Sequence, residues 1–473
     1  MKTGLFPLVV DLDGTLIRSD LLLESFFSLL AKSPLQALVA FTRLLRGKAA
    51  LKTYLADHAT LDIDNIPLDG TVLAYVRAER ERGRPIYLAS ASDHRYVEAL
   101  AQRTGLFDGS FGTTMERNLS GTTKAQLLCD EFGEKGFDYL GNDRKDLNVW
   151  KFCRQAIVAN ATDGLLRRIR RNGRDPLALP RTTVSFRTYL SAFRVHHWIK
   201  NVLVFAPLLA GHVITVQTLS SAALAAIAFS LAASSAYLLN DLLDLPHDRT
   251  HASKRFRPLA SGAMPLMRGV SSAVLLLIVA ALIGIALPFR FLGFLAIYFA
   301  GTVAYSVGLK QLLLIDVMTL AGLYTLRVIA GGAVSQVPLS PWFLAFSTFF
   351  FLCLALIKRY IELIGRLKRQ AGNPSGRSYT LDDLPILSSL AAASGYGAVL
   401  VLALYFHSPE VHALYHAPEL LWLTCPPLLY WISRLLMLAH RGLLDDDPVV
   451  YTATDKISWV VGGVILAIVL VAI

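Results

Sequence analysis

The residues with the clearest capacity for chemistry lie at 240–248, where the chain reads N-D-L-L-D-L-P-H-D at the end of an apolar run. Asp241, Asp244 and Asp248 are three and four residues apart, a spacing that predicts one shared helix face, with Asn240 beside them. Acidic groups at a membrane boundary are costly unless they are neutralised. Because Mg²⁺ takes hard oxygen ligands and shares them with substrate phosphates, the pattern indicates a metal-bound diphosphate.

The residues that follow this motif carry the opposite charge. Lys254, Arg255 and Arg257 come soon after the three acids. Membrane topology alone would need only the positive charges. A metal–diphosphate site needs both signs, because carboxylates hold the metal and cations bind the remaining phosphate oxygens. The segment therefore predicts an enzyme that cleaves a diphosphate ester at the membrane.

A second acidic pattern lies near the start of the chain. Residues 8–15 read L-V-V-D-L-D-G-T, a short apolar strand followed by Asp11 and Asp13. Two aspartates at the carboxyl end of such a strand can share a metal ion and a phosphate. Later polar residues end predicted strands or open a predicted helix: Ser90, Lys124, Asn142, Asp143 and Asp146.

The composition excludes an ordinary soluble protein. Of 473 residues, 54% are hydrophobic, and the mean hydropathy is +0.48. The formal net charge is +11, and its basic residues cluster beside apolar runs. Membrane association explains that clustering better than nucleic acid does, so we expect a bilayer partner and no nucleic acid. The four cysteines have neither disulfide nor metal-ligand spacing.

The chain changes character along its length. We predict an α/β domain over residues 1–165, a basic juxtamembrane linker over 166–187, and an all-helical membrane domain over 188–473. Residues 20–59 are apolar but interrupted by Lys32, Pro34, Arg43 and Arg46, so they are expected to form a small helical cap rather than a span. The cap either packs on the α/β core or contacts lipid or the membrane domain.

Nine transmembrane helices are predicted from the apolar runs, since a span needs roughly 20 residues. They lie at 198–216, 219–241, 269–288, 291–308, 313–333, 341–358, 385–406, 419–438 and 456–473. Lys and Arg concentrate in alternate connections. By the positive-inside rule the N-terminal domain is expected to be cytoplasmic, at a bacterial-type inner membrane.

The motif at 240–248, the K-R-x-R-P sequence that follows and the nine predicted spans resemble the UbiA superfamily of membrane prenyltransferases. The resemblance implies an all-helical domain with its active site facing the cytoplasm. Aromatic prenyltransferases of this superfamily carry a second aspartate-rich motif after the sixth span. Here the chain instead reads K-R-Y-I-E-L at 358–363, which suggests a second anionic substrate.

This pattern resembles the decaprenyl-phosphate phosphoribosyltransferase branch, as do H-W-I-K-N at 197–201 and Y-S-V-G-L-K at 305–310. The resemblance implies transfer of 5-phosphoribose from phosphoribosyl diphosphate to a polyprenyl phosphate, with release of diphosphate. The substrate-binding residues would include Lys200, Tyr305, Lys310, Lys358 and Arg359. For Lys200 and Lys310, a lysine that merely snorkels to the interface is the alternative. An aromatic or quinone-precursor acceptor with a polyprenyl diphosphate donor is the alternative function.

One further charge, Arg327, falls in the middle of the predicted fifth span. An unpaired charge there is costly. We expect this residue to pair with Asp316, with Glu362 or with substrate phosphate.

The N-terminal motifs, in their order, resemble the haloacid dehalogenase (HAD) superfamily, which implies a Rossmann-like parallel sheet. By this resemblance Asp11 is the nucleophile, Asp13 is the general acid–base, and Ser90 and Lys124 bind phosphoryl oxygens. Asn142 stands where the family usually has an acid, so Asn142, Asp143 or Asp146 would complete the Mg²⁺ site. One Mg²⁺ is expected in each domain. This half would remove the 5-phosphate of the product, or serve as a regulatory or docking module.

Overall fold

A computed structural model describes residues 5–473 except 182, 371, 374–376 and 445–446. The chain forms two compact units. The first contains Met1–Phe193 and Leu238–Ser272, and the second contains Arg194–Tyr237 and Ala273–Ile473. The aspartate-rich motif therefore belongs to the unit that holds the N-terminal α/β fold.

The first unit is built on a parallel sheet with the strand order β3-β2-β1-β4-β5-β6. Its strands are β1 Leu8–Val10, β2 Ile86–Asp93, β3 Gly109–Thr113, β4 Asp138–Gly141, β5 Ala156–Val158 and β6 Leu177–Ala178. Leu8 pairs with Ile86 on one side and Asp138 on the other. Because β1 is fully buried between two neighbours, its carboxyl end delivers Asp11 to the middle of the sheet edge.

Helices flank this sheet, and four of them precede the second strand. They are α1 Leu21–Lys32, α2 Pro34–Leu44, α3 Lys48–His58, α4 Gly70–Glu81, α5 His94–Thr104, α6 Thr122–Phe132, α7 Leu147–Trp150, α8 Asp163–Arg171 and α9 Phe186–Ala192. Asp20 caps α1 by accepting from the backbone N–H groups of Leu22 and Leu23, each at 3.0 Å. The stretch predicted to be a small helical cap thus consists of α1 to α3.

The sheet continues beyond residue 165, where the sequence places the start of a linker. The basic segment 166–187 contains most of α8 and all of β6, and Leu177 pairs with Ile157 of β5. Leu165 and Ile169 of α8 are buried against the sheet. Amphipathic spacing of these two residues accounts for the helix, because the intervening arginines lie on its exposed face.

The remaining helices are mostly long and apolar. They are α10 Ala206–Ala210, α11 Val216–Leu243, α12 Leu245–Thr250, α13 Leu266–Ile285, α14 Phe289–Val307, α15 Ile315–Ser335, α16 Pro341–Lys368, α17 Leu384–Phe406, α18 Pro409–Leu414, α19 Cys425–Arg441, α20 Pro448–Thr454 and α21 Lys456–Ala472. Gly395 lets α16 and α17 approach closely, since a Cβ there would lie 2.9 Å from Cys353 Sγ.

The prediction of nine spans is corrected by this structure. Within the described residues, seven helices are long and apolar enough to cross a membrane, or eight if α20 and α21, bent by 83°, count as one span. The predicted first span is instead a 3₁₀ helix, Val195–Phe205, followed by the short α10. Pro207 lies in the first turn of α10, and the buried polar residues Lys200 and Asn201 interrupt the apolar run.

Candidate active sites

The aspartate-rich segment occupies a break between two helices. The predicted helix is interrupted at Asp244, because α11 ends at Leu243 and α12 begins at Leu245, although the backbone hydrogen bonds from Asp244 N to Asn240 O and from Asp248 N to Asp244 O cross the interruption. Pro246 lies in the first turn of α12, where its missing N–H is tolerated. The break at Asp244 separates Asp241 on α11 from Asp248 on α12.

Arg257 draws the outer two acids of this segment together. Its Nη1 lies 3.2 Å from Asp241 Oδ1 and 2.6 Å from Asp248 Oδ2. Both carboxylates are buried, at 3% and 2% exposure. Burial raises the pKa of Asp248, as does the charge of Asp241, although Arg257 acts to lower it. Asp244 has a different partner: its Oδ2 accepts from Asn240 Nδ2 at 3.0 Å.

The donor atoms of this segment fit Mg²⁺ in chemical type, since buried carboxylate oxygens are hard ligands that need a cation. Across the described residues, no group of three or more His, Cys, Asp or Glu side chains is arranged to hold a metal. Asp241 and Asp248 would therefore supply two ligands, with substrate phosphates and water completing the shell. Lys254 and Arg255 are exposed, and the Arg255 guanidinium lies 4.9 Å from the Phe256 ring centre.

Contacts with the N-terminal α/β fold hold this segment within the first unit. Arg249, next to Asp248, makes a two-point ion pair with Glu24 of α1, at 3.1 Å and 2.5 Å. The side chains of the pair are 5% and 2% exposed. Gly262 has φ +72°, and a Cβ there would lie 2.5 Å from Arg18 Cβ. The position of the aspartate-rich segment thus depends on residues that precede it by more than 200 positions.

The first acidic pattern lies where β1 ends. Lys124, from α6, donates from Nζ to Asp11 Oδ1 at 2.7 Å, and Thr15 Oγ1 donates to Oδ2 at 3.3 Å. Burial raises the pKa of Asp11 to about 7, and the charge of Lys124 acts to lower it. A bound divalent cation would lower the pKa again and favour the ionised carboxylate.

Asp13 is held from two directions. Its Oδ2 accepts from Ser90 Oγ at 3.0 Å and from Ser92 Oγ at 2.6 Å, both in the carboxyl-terminal half of β2. Its Oδ1 accepts from the backbone N–H of Leu21 at 2.8 Å. Ser92 was not predicted from the sequence, although its place two residues after Ser90 puts it on the same face of the strand.

The structure separates the acids near Asn142. Asp146 is buried, and its Oδ2 accepts from the backbone N–H groups of Asn142 and Asp143, each at 3.0 Å. Lys124 Nζ lies 3.9 Å from Asp146 Oδ1. Asp143 is exposed and caps the 3₁₀ turn Arg144–Asp146. Asn142 lies against Gly14, where a Cβ atom would be only 2.4 Å from Asn142 Nδ2. Asp146 thus shares Lys124 with Asp11, and Asn142 lies against Gly14, whereas Asp143 is exposed.

The cap adds a cation that no sequence motif singles out. Lys52 of α3 donates from Nζ to Ala91 O at 2.5 Å and to Asn118 Oδ1 at 2.8 Å. Burial lowers its pKa to about 8, partly offset by the charge of Asp13. An ammonium group held beside the ends of β2 and β3 can bind a phosphate oxygen.

In the second unit, two predicted substrate-binding lysines share one carboxylate. Lys200 Nζ lies 2.5 Å and Lys358 Nζ 3.0 Å from Asp447 Oδ2. Burial alone would raise the pKa of Asp447, but the two lysines hold it well below its usual range. Asp447 was missed because it lies 89 positions after Lys358 in sequence, and nothing local marks it apart from its role as the cap of α20.

A second basic group of this unit lies at the ends of α14, α15 and α16. Arg359 is fully buried, with Nη2 2.8 Å from Asp316 Oδ2, and it also pairs with Glu362. Arg377 Nε lies 3.1 Å from Glu362 Oε1, and its Nη1 donates to the Tyr305 hydroxyl at 3.3 Å. Lys310 is half-buried in the 3₁₀ turn Leu309–Gln311.

Two of the three partners expected for Arg327 are wrong, because Asp316 and Glu362 both pair with Arg359. Pairing with substrate phosphate stays a prediction. Arg327 donates to Asn201 Oδ1 at 2.7 Å, to Tyr298 Oη at 2.8 Å and to Leu323 O at 2.8 Å. These neutral acceptors satisfy the guanidinium inside the helical unit, so this arginine contributes to helix packing.

Comparison with known proteins settles the family of the helical half. Residues 202–458 match the UbiA prenyltransferase family. The chain belongs to the UbiA prenyltransferase family. Together with its apolar helices, this membership makes it an integral membrane protein.

Three relatives of this UbiA-family chain are informative. An uncharacterized protein of Sinorhizobium fredii, y4nM, is 33% identical over 97% of this chain and 89% of its own length. The nodulation protein NoeC of Azorhizobium caulinodans is 35% identical over 59% of this chain and 90% of its own. The decaprenyl-phosphate phosphoribosyltransferase of Mycobacterium tuberculosis is 36% identical over 43% of this chain and 70% of its own. The relative that matches nearly the whole chain therefore also covers the α/β half.

Proposed function

We propose that this UbiA-family transferase moves 5-phosphoribose from phosphoribosyl diphosphate to a polyprenyl phosphate and releases diphosphate. The observation that carries the proposal is the convergence of Lys200 and Lys358 on a single buried carboxylate. The buried Lys200 and the partly exposed Lys358 form a pair of cations suited to an anionic acceptor, whereas a neutral aromatic acceptor needs none. Similarity to decaprenyl-phosphate phosphoribosyltransferases supports the same substrates.

The donor is assigned to the aspartate-rich segment. Mg²⁺, when bound by Asp241 and Asp248, would neutralise charge on the leaving diphosphate. Arg257 already contacts both carboxylates and would be available to the phosphate oxygens once a metal replaces it as their counterion. Lys254 and Arg255 extend this positive surface.

The proposed transfer needs no strong general acid or base. A phosphate oxygen of the lipid attacks C1 of the ribose, and the bond from C1 to the diphosphate oxygen breaks. Because a phosphate is ionised near neutral pH, it needs no strong base to become a nucleophile. Rate acceleration would come from positioning and from cations that stabilise the departing diphosphate.

The acceptor class is tested by incubating membranes that contain the full chain with labelled phosphoribosyl diphosphate and polyprenyl phosphate. We expect label to enter the lipid fraction only when both are present. Transfer of a polyprenyl group from its diphosphate to an aromatic acid, with no labelling of polyprenyl phosphate, would replace this proposal by the aromatic alternative.

We infer that the α/β half is a HAD-type phosphatase that removes the 5-phosphate of the lipid product. The support is the geometry at the end of β1, where Asp11 contacts Lys124 and Asp13 contacts Ser90. Asp11 would attack phosphorus to form an aspartyl-phosphate, with Asp13 giving a proton to the leaving ribose oxygen. Asp13 would then activate the water that hydrolyses the intermediate.

The phosphatase assignment is tested on the full chain with the phosphoribosylated lipid supplied as substrate. Release of inorganic phosphate at a rate that depends on Mg²⁺ would support it. If the lipid keeps its 5-phosphate while transferase activity is normal, the α/β half is a regulatory or docking module instead.

A further inference from the structure

Helix α2 reverses the usual distribution of side chains on a helix of a soluble fold. Its inward face is made of Ala37 and Ala40, which are 1% and 0% exposed and pack with Leu29 and Leu55. Its bulky apolar side chains point outward instead. These exposed residues are Leu35, Leu38, Val39, Phe41 and Leu44, with Leu45 directly after the helix. We call this set the α2 apolar face.

The α2 apolar face is exposed to an unusual degree. Leu35, Leu38 and Leu45 are 79%, 66% and 90% exposed. Positions 35, 38 and 45 are separated by three and seven residues, so they share one side of the helix. Scattered exposed leucines need no explanation, but a continuous face of this kind marks a binding surface.

The charge around this face is of one sign. Residues 25–56 contain no Asp or Glu. Lys32 lies just before α2, and Arg46 and Lys48 lie just after it, all three exposed. An apolar helix face bracketed by cations complements a membrane surface with anionic headgroups, because the leucines enter the acyl boundary while the cations meet phosphates.

Local contacts fix the orientation of α2 on the three-helix cap. Pro34 occupies the first turn, and Phe41 packs edge-on against Phe26 of α1 at a centroid distance of 5.3 Å. Gly47, at φ +105°, ends the segment and turns the chain into α3. The same three-helix cap carries Lys52 beside the Asp11 and Asp13 site.

We propose that the α2 apolar face docks on the lipid surface of the membrane in which the same chain is anchored. The docked cap would hold the phosphatase-like site at the interface, where a lipid-linked substrate presents its headgroup. The docking itself stands on the α2 face and its charges and does not depend on the substrates proposed above.

The test is photo-crosslinking of the full chain in vesicles of phosphatidylcholine and phosphatidylglycerol. Benzoylphenylalanine is placed at Leu38 in one variant and at the exposed Gln102 of α5 in the matched control. We expect adducts with lipid at position 38, found by mass spectrometry, several times more abundant than at position 102. Both sites are exposed, so neither replacement disturbs the core.

If the α2 apolar face contacts protein instead of lipid, the crosslinked products will differ. A crosslink from position 38 to a second copy of the chain, to the chain's own helices, or equal lipid adducts at the two positions would overturn the proposal. The double variant Arg46→Glu/Lys48→Glu gives a second arm. It should reduce the lipid adduct at position 38 in vesicles with phosphatidylglycerol and leave it unchanged in phosphatidylcholine alone. If this double variant gives as much lipid adduct as the parent in both kinds of vesicle, Arg46 and Lys48 do not contribute to docking through their charge.

Discussion

The two aspartate sites of the first unit are positioned by different forces. Asp11 and Asp13 follow a buried central strand, and backbone pairing on both sides of β1 sets their location. Asp241 and Asp248 lie on either side of a helix break, and ion pairs made by Arg257 and Arg249 hold them. Sheet hydrogen bonds tolerate the loss of one side chain, whereas a site held by buried ion pairs does not. The helix-break site should therefore be the more sensitive to distant substitutions.

The strongest test of this contrast removes one carboxylate from each site in separate variants. Asp241→Asn should lower transfer to lipid by about 1,000-fold or more, since it removes a proposed metal ligand and a charge opposite Arg257. Asp11→Asn should lower phosphate release by a similar factor and leave transfer unchanged. Transfer and phosphate release are measured on the same preparations. Loss of both activities in either variant would mean that the two sites are one functional unit.

The second largest effect is expected from breaking the ion pair between Glu24 and Arg249. Glu24→Gln leaves Arg249 buried without its counterion and should destabilise the first unit by about 3 kcal/mol. Because Arg249 adjoins Asp248, we also expect a higher KM for the diphosphate donor, with phosphate release little altered. Thermal unfolding and donor KM are the measurements.

A matched control distinguishes positioning from general damage. Glu98→Gln alters an exposed glutamate of α5 and should change neither quantity. The double variant Glu24→Leu/Arg249→Met removes both buried charges and should regain stability. If it regains stability but not the donor KM, the pair positions the aspartate-rich segment. If the donor KM follows stability in every variant, the pair is only structural.

Removing the charge of Asp447 should have a smaller effect, and it should lower a KM rather than raise it. If Lys200 and Lys358 bind the acceptor phosphate, Asp447 competes for the same cations. Asp447→Asn should then lower the acceptor KM by about tenfold, the equivalent of one charge-assisted hydrogen bond. An acceptor KM that rises together with a fall in stability would instead make Asp447 a structural counterion for the two lysines.

The smallest expected effect is on the pH profile of phosphate release. The pKa of Lys52 is lowered to about 8 by burial, so the side chain is charged below that pH and neutral above it. If Lys52 binds substrate phosphate, kcat/KM should fall as pH rises through about 8. Lys52→Arg keeps its charge at every accessible pH and should flatten this limb, a difference that steady-state assays between about pH 6 and about pH 10 would detect. If kcat/KM of the Lys52→Arg variant still falls in the same pH range, a group other than Lys52 causes the fall.

Local patterns account for much of what could be predicted here. The run L-V-V before Asp11, the helical cap after Asp20 and most long apolar helices follow from periodicity and composition, and these signals lie within a few neighbouring residues. The count of nine spans failed because a hydropathy pattern does not register that Pro207 and the buried Lys200 and Asn201 divide the first apolar run.

Long-range partners could not be predicted in the same way. Asp447 is joined to Lys200 across 247 positions, and Glu24 to Arg249 across 225. Each of these acids looks like an ordinary helix-end or helix-surface residue in its own segment. Arg327 shows the converse, because its expected acidic partner is taken by Arg359 and neutral oxygens satisfy it instead.

Residue types and their spacing alone located the groups that could carry out chemistry in this protein: carboxylates with adjacent cations at 240–257, and an ordered set of polar motifs that begins at Asp11. Which charges meet depends on the tertiary fold. The fold broke the aspartate-rich helix at Asp244, gave Asp241 and Asp248 a common partner in Arg257, and turned the leucines of α2 outward. The physical reason is that residue type and spacing act locally, whereas burial and ion pairing are fixed by contacts between distant segments.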